Sequence, residues 1–197
     1  MSDSTDRYVS RGGLKLDASI RAFDINCAGL ICADFGCNIG GFTDCLLACG
    51  AAKVYAVDTG YGTLAWKLRK DPRVVVMERT NALYAEAPEG VDLVTIDVAW
   101  TPQKLSVPAA AKWLKPGGRI VSLLKPVFEL AKLNPPAGGK PGPKSLTIQQ
   151  SEEIRDQVCG QLAQLGFEPE KIIPSPIAGK GGNTEFLLLI TVSDAIE

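Results

Sequence analysis

Five short apolar runs recur along the chain, at 30–33, 54–57, 74–77, 93–96 and 120–124. They are apolar on both faces, as parallel strands must be when helices cover both sides of a sheet. Between and after them lie stretches with helical character, expected at 41–49, 61–70, 103–115 and 146–165. Strand and helix in strict alternation predict a doubly wound α/β sheet.

The alternation breaks at the C-terminal end. Residues 171–177 and 186–192 both read as strands, and only the turn Gly179-Lys180-Gly181-Gly182-Asn183 connects them. A parallel crossover needs a dozen residues or more, so this pair is antiparallel. The expected sheet is mostly parallel with one antiparallel C-terminal strand. Near the N-terminus, Leu16, Ile20 and Phe23 keep helical spacing. Residues 8–23 are therefore an N-terminal helix segment, with an amphipathic helix over 14–23 and Ser10 as its cap. The Pro-, Gly- and Lys-rich stretch 132–145 reads as a flexible loop. No repeat and no long linker divides the chain, so residues 1–197 are expected to be a single domain.

Composition removes several functions. There is no histidine. Ser-His-Asp triads and histidine bases are excluded together, and acid–base work falls to Lys, Asp, Glu, Cys or Tyr. Six cysteines are present, five of them between Cys27 and Cys49, with no Cys-x-x-Cys pair. Without histidine, zinc is disfavoured, no metal is expected, and the thiols read as small buried hydrophobes in a reducing compartment. The polar N-terminus is not a signal peptide, and no apolar run approaches the roughly 20 residues of a membrane span. A cytoplasmic location is expected. The net charge of -1 does not advertise nucleic-acid binding, although basic residues cluster at 7–21 and 125–144.

The first strand runs into Asp34-Phe35-Gly36-Cys37-Asn38-Ile39-Gly40-Gly41-Phe42. Glycines at a strand-to-helix turn let the backbone approach a ligand. The loop is not Gly-x-Gly-x-x-Gly, and it opens with an acid. A carboxylate repels a pyrophosphate but attracts an ammonium or sulfonium, and S-adenosylmethionine (SAM) carries both cations. A tight turn that binds nothing is the competing reading. Asp58 ends the second strand, where it suits ribose hydroxyls or merely caps a helix. Asn81, in the polar cluster after the third strand, lies where an adenine ring would sit.

Asp97 ends the fourth strand and Lys125 the fifth, so both project toward one crevice. A lysine after an apolar strand is costly unless paired, and a structural ion pair is the alternative to a catalytic one. Lys15 follows Arg11-Gly12-Gly13, and Glu185 follows the last glycine turn; alone, each would be a solvated surface charge.

Together these segments resemble a family. Tyr8-Val9-Ser10-Arg11-Gly12-Gly13-Leu14-Lys15-Leu16, the loop from Asp34 to Asp44, Asp71-Pro72-Arg73-Val74-Val75 with Glu78-Arg79-Thr80-Asn81, Lys125-Pro126-Val127-Phe128-Glu129, and Gly182-Asn183-Thr184-Glu185-Phe186 are similar to the FtsJ-like 2′-O-ribose methyltransferases, in their haemolysin-A (TlyA-type) rRNA branch. The resemblance implies a class I SAM-dependent methyltransferase (Rossmann-like) sheet. It implies a catalytic tetrad of Lys15, Asp97, Lys125 and Glu185. It also implies a SAM site formed by Asp34, Gly36, Gly40, Gly41, Phe42, Asp58, Asn81 and Asp97. The implied reaction is methyl transfer to a ribose 2′-hydroxyl of ribosomal RNA. Lys125 is the expected base, because burial and a second ammonium nearby both favour the neutral amine. Structured RNA is expected on Arg7, Arg11, Lys67, Arg69 and the loop lysines. That branch usually begins with an S4 RNA-binding domain; only seven residues precede Tyr8, so its absence, and a partner protein replacing it, are expected. The loop has Cys37-Asn38-Ile39 where the branch has Ala-Ser-Thr, and Val98-Ala99-Trp100 where it has Val-Ser-Phe. Two alternatives stay open: a SAM-dependent methyltransferase acting on a small molecule or protein, and a non-catalytic SAM-binding subunit.

Overall fold

The computed structural model describes residues 7–99, 101–133 and 143–192. In chain order its elements are α1 (Gly12–Ala22), β1 (Ile31–Phe35), α2 (Gly41–Ala48), β2 (Lys53–Val57), α3 (Trp66–Arg69), β3 (Val74–Met77), β4 (Val91–Ile96), α4 (Gln103–Ala111), β5 (Leu114–Leu124), α5 (Pro126–Leu133), α6 (Ile148–Gln164), β6 (Pro169–Pro174) and β7 (Phe186–Thr191). A 3-10 turn, Lys180–Gly182, precedes β7.

The strands form one sheet in the order β3-β2-β1-β4-β5-β7-β6. β1 pairs in parallel with both β2 and β4, and β4 pairs in parallel with β5. β7 is antiparallel to both its neighbours, with Leu124 opposite Phe186 at the end of β5. The strand order reverses between β1 and β4, which opens a crevice beyond their carboxyl ends. Both faces are covered. Leu16, Ile20, Phe42 and Leu46 pack from α1 and α2 on one side, and Val107, Ile154, Val158 and Leu162 from α4 and α6 on the other. The strands therefore need apolar side chains in both directions, which is why their runs do not alternate.

Several boundaries differ from expectation. The stretch 61–65 is not helical; Gly62 sits at φ 75° and Ala65 N–H is drawn to the Ile39 carbonyl at 3.0 Å, so only Trp66–Arg69 closes a turn. α4 stops at Ala111, because Trp113 is buried and donates to the Ala85 carbonyl at 3.1 Å, and the chain turns straight into β5. α5 was not expected; Pro126 at its first position, with φ pre-set and no N–H to satisfy, starts it. Ser10 does not cap α1. Arg11 is the N-cap residue and makes no side-chain cap, and Ser10 only lends its carbonyl to Gly13 N–H at 3.1 Å. Of the expected loop 132–145, residues 134–142 lie outside the described residues, as does Trp100.

Candidate active site

Three adjoining cavities of about 400, 340 and 680 Å³ lie along the carboxyl ends of the strands. Asp97 and Ala99 line all three. The first also meets Gly36, Asn38, Asp58 and Asn81. The second meets Gly36, Gly41, Phe42, Lys15 and Lys125. The third meets Lys15, Lys125, Phe128, Lys144, Lys180 and Glu185.

The first two cavities share the glycine loop. Gly36 has φ 85°, and a Cβ there would stand 2.7 Å from the Asp97 carbonyl oxygen. The ends of β1 and β4 approach this closely only with glycine in place. Asp58 steadies the loop from below: its Oδ2 accepts from Asn38 N–H at 2.8 Å and its Oδ1 from Gly60 N–H at 2.7 Å. Each oxygen keeps a lone pair for the cavity that it lines. Asn81 is exposed there and accepts from Leu83 N–H at 3.0 Å.

Two residues expected to touch the ligand are placed elsewhere. Asp34 is fully buried behind the loop and lines none of the three cavities. The Thr43 hydroxyl donates to its Oδ2 at 2.7 Å and the Thr95 hydroxyl to its Oδ1 at 3.1 Å. Burial pushes its carboxyl up to about 7; the Thr43 hydrogen bond opposes this and the charge of Asp97 adds to it. Asp34 thus holds the start of the loop through these two hydrogen bonds. Gly40, at φ 102°, packs against Leu68 and Leu64 and likewise lines no cavity.

Lys15, Asp97, Lys125 and Glu185 come together as two ion pairs. Lys15 Nζ is 2.5 Å from Glu185 Oε2, and Lys125 Nζ pairs with Asp97 Oδ1. The pairs are mostly withdrawn from water, with Glu185 side chain 7% exposed and Lys125 14%. Four distant segments supply them: α1, the end of β4, the end of β5 and the residue before β7. Gly179 makes room for Glu185, since a Cβ there would lie 2.0 Å from Oε1. Asn183 fixes that turn, accepting from Leu146 N–H at 3.1 Å and donating to the carbonyls of Lys144 and Lys180.

A buried network aligns the segment that follows Asp97. Glu129 on α5 accepts from Gln103 N–H at 2.8 Å and so caps α4 from outside. Gln103 Nε2 donates to the Leu123 carbonyl, and Ser122 donates to Gln103 Oε1 at 2.6 Å.

A family model described as FtsJ-like methyltransferase matches residues 8–191. The chain belongs to this family. The 16S/23S rRNA (cytidine-2'-O)-methyltransferase TlyA of Mycobacterium tuberculosis is 42% identical over 193 residues, covering 95% of this chain and 70% of that protein. The structure of a candidate hemolysin from Streptococcus thermophilus superposes with a TM-score of 0.87 at 37% identity, covering 98% of this chain and 70% of the other. The magnesium protoporphyrin IX methyltransferase ChlM of Synechocystis, solved with bound SAH, shares the fold at a TM-score of 0.63 and 18% identity, covering 98% and 89%. Against the curated relatives, this FtsJ-like chain spans 65–75% of their length. The mostly parallel seven-stranded sheet with antiparallel β7 is the class I SAM methyltransferase sheet expected above.

The expected RNA-facing cations divide. Arg11 lines the second cavity. Lys67 is exposed but reaches back to Asp44 at 2.9 Å, and Arg7 reaches Asp17 at 3.4 Å. Arg69 is structural: it pairs with Glu78 and its Nε donates to the Leu64 carbonyl at 2.9 Å. Lys180, which lines the second and third cavities, was not singled out, although its place inside a glycine turn next to Glu185 marks it in the sequence.

Proposed function

We propose that this chain transfers the methyl group of SAM to a ribose 2′-hydroxyl of ribosomal RNA, in a cytoplasmic setting. One observation carries the reading: both lysine–carboxylate pairs border the third cavity, and Asp97 lines all three cavities. The relative named above as a cytidine-2'-O-methyltransferase supports the substrate class.

The first two cavities fit SAM chemically. Asp58 and Asp97 supply carboxylates for hydroxyls and a cation, and Gly36, without a side chain, borders both cavities. When bound, SAM supplies a methyl carbon activated by its sulfonium. The protein's part is proton handling and positioning. The ribose hydroxyl docks in the third cavity beside Lys125, whose Nζ takes the hydroxyl proton as the new O–C bond forms. Asp97 holds Lys125 in place. Glu185 holds Lys15, which steadies the alkoxide charge as it develops. The rest of the acceleration is alignment of the attacking oxygen with the methyl.

RNA would reach the site over Arg11, Lys144 and Lys180. Lys125→Met tests it: SAM affinity, measured by calorimetry, stays near wild type, and transfer of labelled methyl to ribosomal RNA falls by about 10²-fold or more. Wild-type transfer by this variant removes Lys125 as the base. Labelling of a metabolite extract but not RNA removes the RNA substrate.

A further inference from the structure

We propose that Asp17, Cys45 and Cys49, with the phenol of Tyr8, form a site for one zinc-type divalent cation between α1 and α2. Cys45 and Cys49 stand four residues apart at the end of α2, where Cys49 N–H closes the last turn on the Cys45 carbonyl at 2.9 Å. That spacing places both thiols on one helix face. Asp17 comes from α1, which packs on α2. One ligand atom from each of the three lies within 4.8 Å of the others. Cys45 is fully buried and Asp17 nearly so.

An independent observation points into the same place. Tyr8 is 5% exposed, and its hydroxyl has no hydrogen-bond partner of acceptable geometry. It lies beside Cys45, whose thiol interacts with it. A buried hydroxyl left unpaired costs free energy that a cation in contact with its oxygen would recover. The arginines do not block the carboxylate. Arg7 and Arg21 both contact Asp17 Oδ2, at 3.4 and 2.6 Å, which leaves Oδ1 for the ion.

Charge and donor type select the ion. Two sulfurs and two oxygens suit a tetrahedral zinc-type cation, whereas magnesium and calcium take oxygen alone. Each thiol releases its proton to solvent as its metal–sulfur bond forms, and no electron moves. Two thiolates and one carboxylate against a dication leave one negative charge, flanked by the two guanidiniums. The carbonyl end of α2 adds a partial negative charge that favours a cation. Bond lengths of about 2.0–2.3 Å require ligand separations of roughly 3.5 Å, which side-chain rotation supplies. The ion would tie the helix that carries Lys15 to the helix that the glycine loop opens.

Titrating the reduced full chain with Co²⁺ under anaerobic conditions decides the matter. One equivalent should give tetrahedral d–d bands and a sulfur-to-cobalt charge-transfer band, and Zn²⁺ should displace it. Cys45→Ser and Cys49→Ser should abolish the charge-transfer band. Asp17→Asn should weaken binding about tenfold or more. Cys159→Ser, on α6, should change nothing. A band that survives both Cys45→Ser and Cys49→Ser overturns the site, as does a chain that forms a Cys45–Cys49 disulfide and takes up no metal. Should the variants fail to fold, the wild-type chain answers: Zn²⁺ must raise its melting temperature and a chelator must reverse this, and an unchanged melting temperature also overturns the proposal.

Discussion

Glu185 holds Lys15 across 170 positions of sequence, at 2.5 Å and largely out of water. Removing one member leaves the other as an uncompensated charge in a poorly solvated place. Glu185→Ala is expected to destabilise the fold by about 1–3 kcal/mol. Lys15→Ala should reduce methyl transfer as strongly as Glu185→Ala does. Denaturant titration and a labelled-SAM assay on the two variants measure the two effects separately. Full activity in Lys15→Ala would sink the role assigned to the pair.

Gly36 and the Asp97 carbonyl stand too close for any side chain between them. Gly36→Ala also imposes a left-handed backbone on a residue that resists it, at a cost of about 1–3 kcal/mol. The expected outcome is a folded protein with SAM affinity reduced about tenfold or more, read by calorimetry. Unchanged affinity would place the cofactor away from this loop.

Asp34 gives a pH signature. Its carboxyl rises from an ordinary 3.8 to about 7 in the folded chain, chiefly through burial. Between those values the folded state keeps a proton that the unfolded state has released. Its contribution to stability is therefore full below about 3.8, declines as pH rises, and is gone above about 7. Asp34→Asn keeps the shape and can still bond both threonine hydroxyls, but has nothing to ionise. Melting curves from acid to pH 8 should show the variant gaining on wild type as pH rises. Parallel curves would mean that folding does not raise the Asp34 carboxyl.

Glu129 caps α4 from a neighbouring helix, and burial raises its carboxyl while Gln103 N–H and Lys104 oppose the rise. Glu129→Ala frees a buried N–H and should lower stability by about 1–3 kcal/mol. Glu129→Gln, which still accepts through its carbonyl oxygen, should recover most of that. The rescue separates loss of the hydrogen bond from loss of packing volume.

The sheet was legible because covered parallel strands demand apolar residues on both faces, and runs such as 93–96 and 120–124 meet that demand. The same coverage hid where the Asp34 side chain lies. At the end of an exposed strand an acid would face outward; here Ala33 and Phe35 on either side are also buried, and two threonines wait for the carboxylate inside. Arg69 read as part of a basic face because its partner Glu78 sits on another segment. Asp97 and Lys125 could be placed at one crevice from strand ends alone. Lys15 and Glu185 could not, since only the folded sheet brings α1 beside the start of β7. Asp17 was invisible beside Cys45 and Cys49 for the same reason: spacing shows the two thiols on one helix and says nothing of the acid on another.

β7 follows the other six strands in sequence among the described residues, yet it is not an edge: it lies between β5 and β6. Until it inserts, β6 has nothing to pair with, β5 presents an open flank, and the carboxylate of Glu185 is nowhere near α1. A nascent chain of this protein can thus build its parallel half early but stays inert until β7 has emerged, so that termination before β7 yields a sticky, unreactive fragment.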